Sequence, residues 1–388
     1  MDFKNYLVPG KTGLLIGIGG VSMSPLAEVL HDAGLDIRGS DMAESSNTLT
    51  QRERGIPIHI GHSADNVTDD ISFVIRTAAV HDDNPEVHEA HRRGIPVFER
   101  TQAWGALMRG YQNALCISGT HGKTTTTSMC THIMMAAEKD PTVMIGGTLP
   151  LLKACHRVGK GNTIIMESCE YYNSFLALNP TIAVVLNIEA DHLDFFKDLE
   201  DIKHSFRCFA ERVPAETGTV IANYDDANTM DALRGIARKV ITFGLNAKAD
   251  VYAQNIVHRG SVSEFDIYHR GNYFARVTLH VPGIHNVRNA LAATAAAIVL
   301  GVSPNAVKYG LAGFEGAGRR FDFKGKFQGA DLYDDYAHHP SELRALLDAV
   351  DTLNYQRTIV VFQPHTYSRT AKLFNDFVEQ LRRPTIVY

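Results

Sequence analysis

Gly119-Thr120-His121-Gly122-Lys123-Thr124-Thr125 is the stretch that decides the fold. Ala114-Leu115-Cys116-Ile117 before it reads as a short buried strand, and the apolar-periodic run from Thr126 reads as a helix. Strand, glycine loop, Lys-Thr and helix is the arrangement that cradles nucleotide phosphates. The glycines let backbone N–H groups turn inward, and the helix start adds its positive dipole end. Lys123 then reaches the β- and γ-phosphates, and the Thr124 hydroxyl sits on Mg2+. The full pattern places a glycine five residues before Gly122, where this chain has Ile117. The loop is therefore a shortened P-loop. The competing reading, a glycine turn with a surface lysine, does not explain the flanking strand and helix.

Length and composition set the frame. A chain of 388 residues exceeds a single core, so two or three domains are expected. Hydrophobic residues at 45% and charged residues at 21% are ordinary for a globular protein. A formal charge of -5 gives no global basic field and argues against nucleic acid as a partner. Cys116, Cys130, Cys155, Cys169 and Cys208 show no metal spacing and fit a reducing cytoplasm. The N-terminus lacks a signal-peptide pattern, and no apolar run suggests membrane insertion.

The chain divides into three parts. In the first, residues 1–109, the strand Leu14-Leu15-Ile16 runs into Gly17-Ile18-Gly19-Gly20, and a helix opens near Ser24-Pro25. Asp41 ends the next strand, placed as an acid that meets a ribose. Ser22 stands where the third fingerprint glycine is usual, so a merely structural turn stays open. Further strands are expected at Phe73–Ile75 and Ile95–Val97, with a polar loop from Thr77 through Asn84 to Glu86 opening a helix. The natural reading is an open α/β sheet.

In the second part, residues 110–317, Thr163–Met166 and Ile182–Leu186 are continuous apolar runs of the buried parallel type. Glu167 follows the first, and Glu189, Asp191 and His192 follow the second. Functional groups collect at the carboxyl ends of parallel strands, so Lys123, Glu167 and His192 are expected around one phosphate site. Glu167 suits Mg2+, and His192 a second metal. A loop-rich, more antiparallel stretch is expected from about Asp250 to Val281. Asn286 and Asn289 then share one helix face at the start of an Ala-rich helix. They could read a nucleotide or cap the helix. The third part, residues 318–388, carries Arg320, Asp335, His338, His339, a strand at Thr358–Phe362, and then His365 and Arg369. It reads as a small α/β domain that stops mid-strand and is incomplete.

These motifs, in order, resemble the Mur ligases. GIGG with MS, GSD, DDNPE, GTHGKTTTT, ESCEY, NIEADHLDFF, GIHNVRNALAA, GRRFDF, DDYAHHPSE and FQPHTYSRT span nearly the whole chain. The resemblance implies three domains: a Rossmann-like UDP-binding domain, a central P-loop ATPase domain and a C-terminal Rossmann-like domain. It implies that Gly17, Gly19, Gly20, Asp41, Thr77 and Asn84 hold the UDP-sugar. Gly119, Thr120, His121, Gly122, Lys123, Thr124, Thr125, Asn286, Asn289, Arg320 and Asp335 would hold ATP. Thr124, Glu167 and His192 would hold the metal, and His338, His339, His365 and Arg369 would meet the amino acid. The implied reaction joins L-alanine to UDP-N-acetylmuramate through an acyl phosphate, in peptidoglycan precursor synthesis. No protein nucleophile is needed, so Ser168 and Cys169 are not assigned one. A water-sensitive intermediate favours hinges near 109–113 and 317–319. The expected state is a cytoplasmic monomer or weak homodimer.

Three alternatives stand beside this reading. A murein-tripeptide recycling ligase of the same family is disfavoured by NIEADHLDFF and the short ESCEY segment. An NAD-dependent dehydrogenase leaves the P-loop, Glu167 and His192 unexplained. A catalytically silent nucleotide-binding regulator is opposed by the intact Lys123, Glu167, His192 set.

Overall fold

The computed structural model describes residues 2–77 and 79–388. Ala78, inside the loop that begins at Thr77, lies outside the described residues. The chain forms a mixed α/β structure that separates into two compact units. One comprises residues up to Gln112 with His156–Lys160 and Ala177–Asn179, and the other comprises the remainder.

The first unit is built on a five-stranded, all-parallel sheet. Its strands are β1 (Thr12–Ile16), β2 (Asp36–Asp41), β3 (Ile58–Ile60), β4 (Ile71–Arg76) and β5 (Val97–Glu99), in the order β3-β2-β1-β4-β5. Helices α1 (Ser24–Asp32), α2 (Ser46–Glu53), α3 (Pro85–Arg92) and α4 (Arg100–Met108) connect and cover it. The β1 residues are buried throughout, as a strand covered on both faces requires. Strand order reverses at β1, between β2 and β4, which opens a crevice at the strand ends. Gly17, Asp41 and Thr77 each follow or end one of these three strands.

The second unit holds β6 (Asn113–Ser118), α5 (Lys123–Ala136), β7 (Thr142–Leu149), the first two residues of β8 (Ala154–Arg157), β9 (Thr163–Glu167) and β10 (Ile182–Val185). Next come α6 (Leu199–Glu211), β11 (Thr219–Asn223), α7 (Ala227–Ala232) and β12 (Lys239–Gly244). Strands β13 (Val251–Arg259), β14 (Val262–His269) and β15 (Asn272–Leu279) follow, then α8 (Ile284–Val299) and α9 (Pro304–Ala312). The sheet order is β15-β14-β13-β12-β11-β10-β6-β9-β7-β8. Strand β6 pairs parallel with β10 on one side and β9 on the other. The loop after β6 therefore lies between Glu167 and Asn187. Helix α8 is rich in buried alanines, whose small side chains bring its backbone close to the sheet and to α5.

The antiparallel expectation for Asp250–Val281 holds, but the stretch is not loop-rich. It is a three-stranded meander with tight turns. In β14 each buried residue alternates with a half-exposed one, and the polar half of that pattern makes the sequence look like loop.

The last segment of this unit has β16 (Asp322–Phe327) and β17 (Ala330–Asp334) as a hairpin, then α10 (Pro340–Asp351), β18 (Ile359–Val360), α11 (Tyr367–Lys372), α12 (Phe374–Leu381) and β19 (Ile386–Val387). The strand expected at Thr358–Phe362 is only Ile359–Val360, paired in parallel with Ile386–Val387. Among the described residues no helix is long and apolar enough to cross a membrane.

Candidate functional site

Strand β6 delivers its chain into a loop that only glycine permits at two points. Gly119 has φ 143 and Gly122 has φ 83. A Cβ on Gly122 would also lie 2.7 Å from Asn289 Oδ1, so the loop and α8 touch. Asn187, just past β10, clamps the loop. Its Oδ1 accepts from His121 N–H at 2.8 Å, its Nδ2 donates to His121 O at 3.1 Å, and its carbonyl accepts from Thr120 N–H at 3.0 Å. Asn187 is a positioning residue that the motif reading did not single out. An amide placed directly after a buried strand was the available signal.

Lys123 opens α5, and its Nζ lies 3.0 Å from Glu170 Oε2. It also donates to the carbonyls of Gly119 and Thr120. Burial alone would lower its pKa, but Glu170 outweighs that and raises it. Thr124 Oγ1 donates to Glu167 Oε1 at 3.1 Å, and Gly146 N–H donates to Glu167 Oε2 at 2.6 Å. A Cβ on Gly146 would sit 2.5 Å from Glu167 Oε1, so the carboxylate occupies space that only a glycine leaves. A hydroxyl and a carboxylate at the helix start form an oxygen donor set suited to a hard divalent cation.

His192 is brought close without joining that pair. Its backbone is left-handed, with φ 52, and its ring stacks on Tyr171 at 4.3 Å. Its Nε2 is 3.8 Å from Glu170 Oε1 and 3.7 Å from Asp191 Oδ2. Burial lowers its pKa and so favours the neutral, ligating form.

A cavity of about 740 Å³ opens beside the loop. Asn286, Asn289, Arg320 and Asp335 line it together with Gly122 and Thr124. Gly283 is the residue before α8 and no side chain caps that helix, which removes the cap reading of the two asparagines. Asn286 Nδ2 donates to Pro282 O at 2.7 Å, and Asn289 Nδ2 donates to Asn286 Oδ1 at 3.2 Å. Both amides are thereby held in fixed orientation. Asp335 accepts from the N–H groups of Phe321 (2.8 Å) and Ala337 (2.7 Å), while burial raises its pKa. Arg320 lies over the Tyr336 ring, 5.4 Å from its centroid.

A second cavity, about 260 Å³, is lined by Tyr171, His192, Tyr336, His338, His365 and Arg369 among others. Arg369 meets Asp191 through a two-pronged contact of 2.9 and 3.0 Å, both residues buried. Burial would raise the Asp191 pKa, and Arg369 reverses that and holds it at about 2. His339 is the residue before α10. Its Nδ1 accepts from Ser341 N–H, so one nitrogen serves the helix start. His365 is exposed. In the lining of the larger cavity, His121 stands 3.2 Å from Glu342 and 3.5 Å from Glu189. Burial would lower its pKa, but the two carboxylates push it up to about 9.

In the first unit the glycine turn is tied by side chains. Asp41 Oδ2 accepts from Gly19 N–H at 2.8 Å, and Asn47 Nδ2 donates to Gly19 O at 2.8 Å. Gly17 is left-handed at φ 80 and faces Thr77, and Gly20 N–H donates to Gly17 O at 3.0 Å. Asp41 thus braces the turn through Oδ2. Asn84 caps α3 through Oδ1, which accepts from the N–H groups of Glu86 and Val87. Ser22 has its own function: its hydroxyl accepts from Arg100, and its carbonyl accepts from Trp104 Nε1 at 3.2 Å. A glycine there would lose the hydroxyl anchor to α4.

Three stretches match family models. Residues 15–112 match the model described as Mur ligase family, catalytic domain. Residues 117–297 match the Mur ligase middle domain, and 319–388 the Mur ligase, glutamate ligase domain. A UDP-N-acetylmuramate–L-alanine ligase of Agathobacter rectalis is 46% identical over 96% of this chain and 81% of its own length. One from Clostridium novyi is 45% identical over 97% of this chain and 82% of its own. The solved UDP-N-acetylmuramate-alanine ligase MurC of Thermotoga maritima superimposes with a TM-score of 0.80 at 30% identity, covering 97% of this chain and 84% of its own. A Neisseria UDP-N-acetylmuramate:L-alanyl-gamma-D-glutamyl-meso-diaminopimelate ligase gives 0.71 at 27% identity, covering 79% and 99%.

Proposed function

The chain belongs to the Mur ligase family, and from that premise we propose that it joins L-alanine to UDP-N-acetylmuramate at the expense of ATP. The observation that carries the L-alanine reading is the 46% identity to a UDP-N-acetylmuramate–L-alanine ligase across 96% of the chain. We divide the work among residues 1–109 for the UDP-sugar, 110–317 for ATP and 318–388 for closure and amino-acid capture.

A carboxylate does not form an amide with an amine at neutral pH, so its oxygen must first become a leaving group. The substrate carboxylate attacks the γ-phosphate, giving an acyl phosphate and ADP. The alanine amine then attacks the acyl carbon, and phosphate leaves. Lys123 directs its ammonium at the transferring phosphoryl group, and the N–H groups from Gly122 into the first turn of α5 serve the phosphates, those of Thr120 and His121 being taken by Asn187. Asn187 keeps that loop in shape, and Asn286 and Asn289 orient the nucleoside end. Thr124 and Glu167 would hold Mg2+, with Glu170 and His192 beside it. Bound there, the cation would supply positive charge to the phosphate oxygens. Arg369, whose fork is held by Asp191 and whose remaining nitrogen donates to His365 O, places fixed positive charge at the smaller cavity for the amino-acid carboxylate. Gly17, Gly19 and Gly20, held by Asp41, shape the diphosphate turn. The reaction uses ATP and fits a cytoplasmic protein, monomeric or weakly dimeric.

The test is phosphate release with UDP-N-acetylmuramate and ATP, offering each amino acid in turn. Release that depends on L-alanine is expected. Release that responds only to a tripeptide would transfer the assignment to a recycling ligase.

A further inference from the structure

Three side chains converge between the loop before α5 and the start of α10. His121 lies in the loop after β6, Glu189 in the loop after β10, and His339 just before α10. Each offers one donor atom, and the three atoms lie within 4.8 Å of one another. Glu189 Oε2 is 3.5 Å from His121 Nε2 and 4.0 Å from His339 Nδ1. The two imidazole rings are 4.9 Å apart. His339 is 6% exposed; its Nδ1 is taken by Ser341 N–H, and its Nε2 is buried without a hydrogen-bond partner, while the two nitrogens of His121 face only the carboxylates of Glu342 and Glu189. An unsatisfied buried nitrogen beside an imidazole and a carboxylate calls for an explanation.

We propose that His121, Glu189 and His339 form a binding site for a transition-metal dication of the Zn2+ class, distinct from the oxygen set at Thr124 and Glu167. Two imidazoles and one carboxylate are the donors that Zn2+ takes with a fourth position open. Mg2+ prefers oxygen alone, so the two sets select different ions. Glu342 stands behind the site, with Oε1 3.2 Å from His121 Nδ1. A carboxylate in that place fixes the tautomer of a ligating imidazole and leaves its other nitrogen to the metal. Ser341 Oγ donates to Glu189 Oε2 and holds the third ligand. His121 and Glu189 also line the nucleotide cavity. An ion bound here links the phosphate loop to the start of α10.

The experiment titrates Zn2+ alone into the full chain in excess Mg2+, with Co2+ as a visible-absorption substitute. The wild-type protein should bind one Zn2+ tightly. His339→Gln and Glu189→Gln should each weaken that event at least about tenfold, and Glu342→Gln should do so about tenfold through His121 alone. His192→Gln should leave it unchanged, which separates this site from the Mg2+ region. Thermal melts identify any variant that fails to fold, and the milder Glu342→Gln then carries the decision. Zn2+ binding of unchanged strength in the folded variants, or no binding to the wild-type protein, overturns the proposal. The binding readout does not depend on the ligase assignment.

Discussion

Arg369 and Asp191 form a buried, two-pronged ion pair at 2.9 and 3.0 Å, joining α11 to the loop after β10. The pair lies against the smaller cavity, where an amino acid is proposed to enter. Arg369→Lys keeps the charge and loses the fork. We expect the KM for L-alanine to rise about tenfold, equivalent to about 1.4 kcal/mol, with kcat little changed. An unaltered KM would make the pair a purely structural clamp. Asp191→Ala strands a buried guanidinium, and a loss of about 3–5 kcal/mol in stability is expected by denaturant titration.

Lys123→Ala should abolish turnover, because the other cation of the loop, His121, is committed to Glu342 and Glu189. It should also lower the melting temperature. Glu170 is 2% exposed and loses its ammonium partner, so the lysine has a structural role besides the phosphate contact proposed for it. Adding Glu170→Gln to Lys123→Ala should restore part of the stability and none of the activity. Wild-type rates in a folded Lys123→Ala protein would remove the ATP assignment.

Glu167→Gln should raise the Mg2+ concentration needed for half-maximal rate and slow acyl-phosphate formation. Gly146→Ala should act in the same direction without touching a ligand. Its Cβ would fall 2.5 Å from Glu167 Oε1 and must displace the carboxylate. A Mg2+ titration identical to wild type in both variants would shift the ligand role to Glu170.

His285 borders the larger cavity, where burial and then Arg288 depress its pKa to about 4, with Asp348 acting in the opposite sense. Its ordinary value is 6.5, so below that pH the unfolded chain takes up the proton first. The His285 contribution to stability should therefore fall as the pH drops from about 6.5 to about 4 and change no further beneath, where the depressed carboxyl of Asp191 governs the slope. His132, also held near 4 by burial against Phe314, adds to the same slope. Urea midpoints measured across this window should fall less steeply in His285→Gln. An equal slope would assign the acid sensitivity elsewhere.

The β6–loop–α5 unit was legible because three local signals coincide: an apolar strand, glycines where φ is positive, and a lysine at the helix start. Asp41 and Asn84 were correctly located at a strand end and a helix start. Their side chains turned out to be engaged with the backbone, which spacing alone does not reveal. Glu170 as the partner of Lys123, and Glu342 as the partner of His121, are contacts between distant segments with no sequence period to expose them. The hairpin β16–β17 was also missed. Phe323, Phe327 and Leu332 are exposed in it, so its residues lack the buried alternation by which a strand is recognised.

The Lys123–Glu170 contact has a thermodynamic consequence. A phosphate that takes the lysine must release Glu170, and the released carboxylate is an oxygen donor a few residues from Glu167. Nucleotide and divalent cation then help each other to bind, and reciprocity requires the same factor in both directions. The affinity gain for a nucleotide on adding Mg2+ should equal the gain for Mg2+ on adding the nucleotide. Glu170→Gln should shrink both gains together, because the lysine would then already be unpaired and no carboxylate would be set free. A calorimetric cycle on the two proteins measures that exchange of counterions directly.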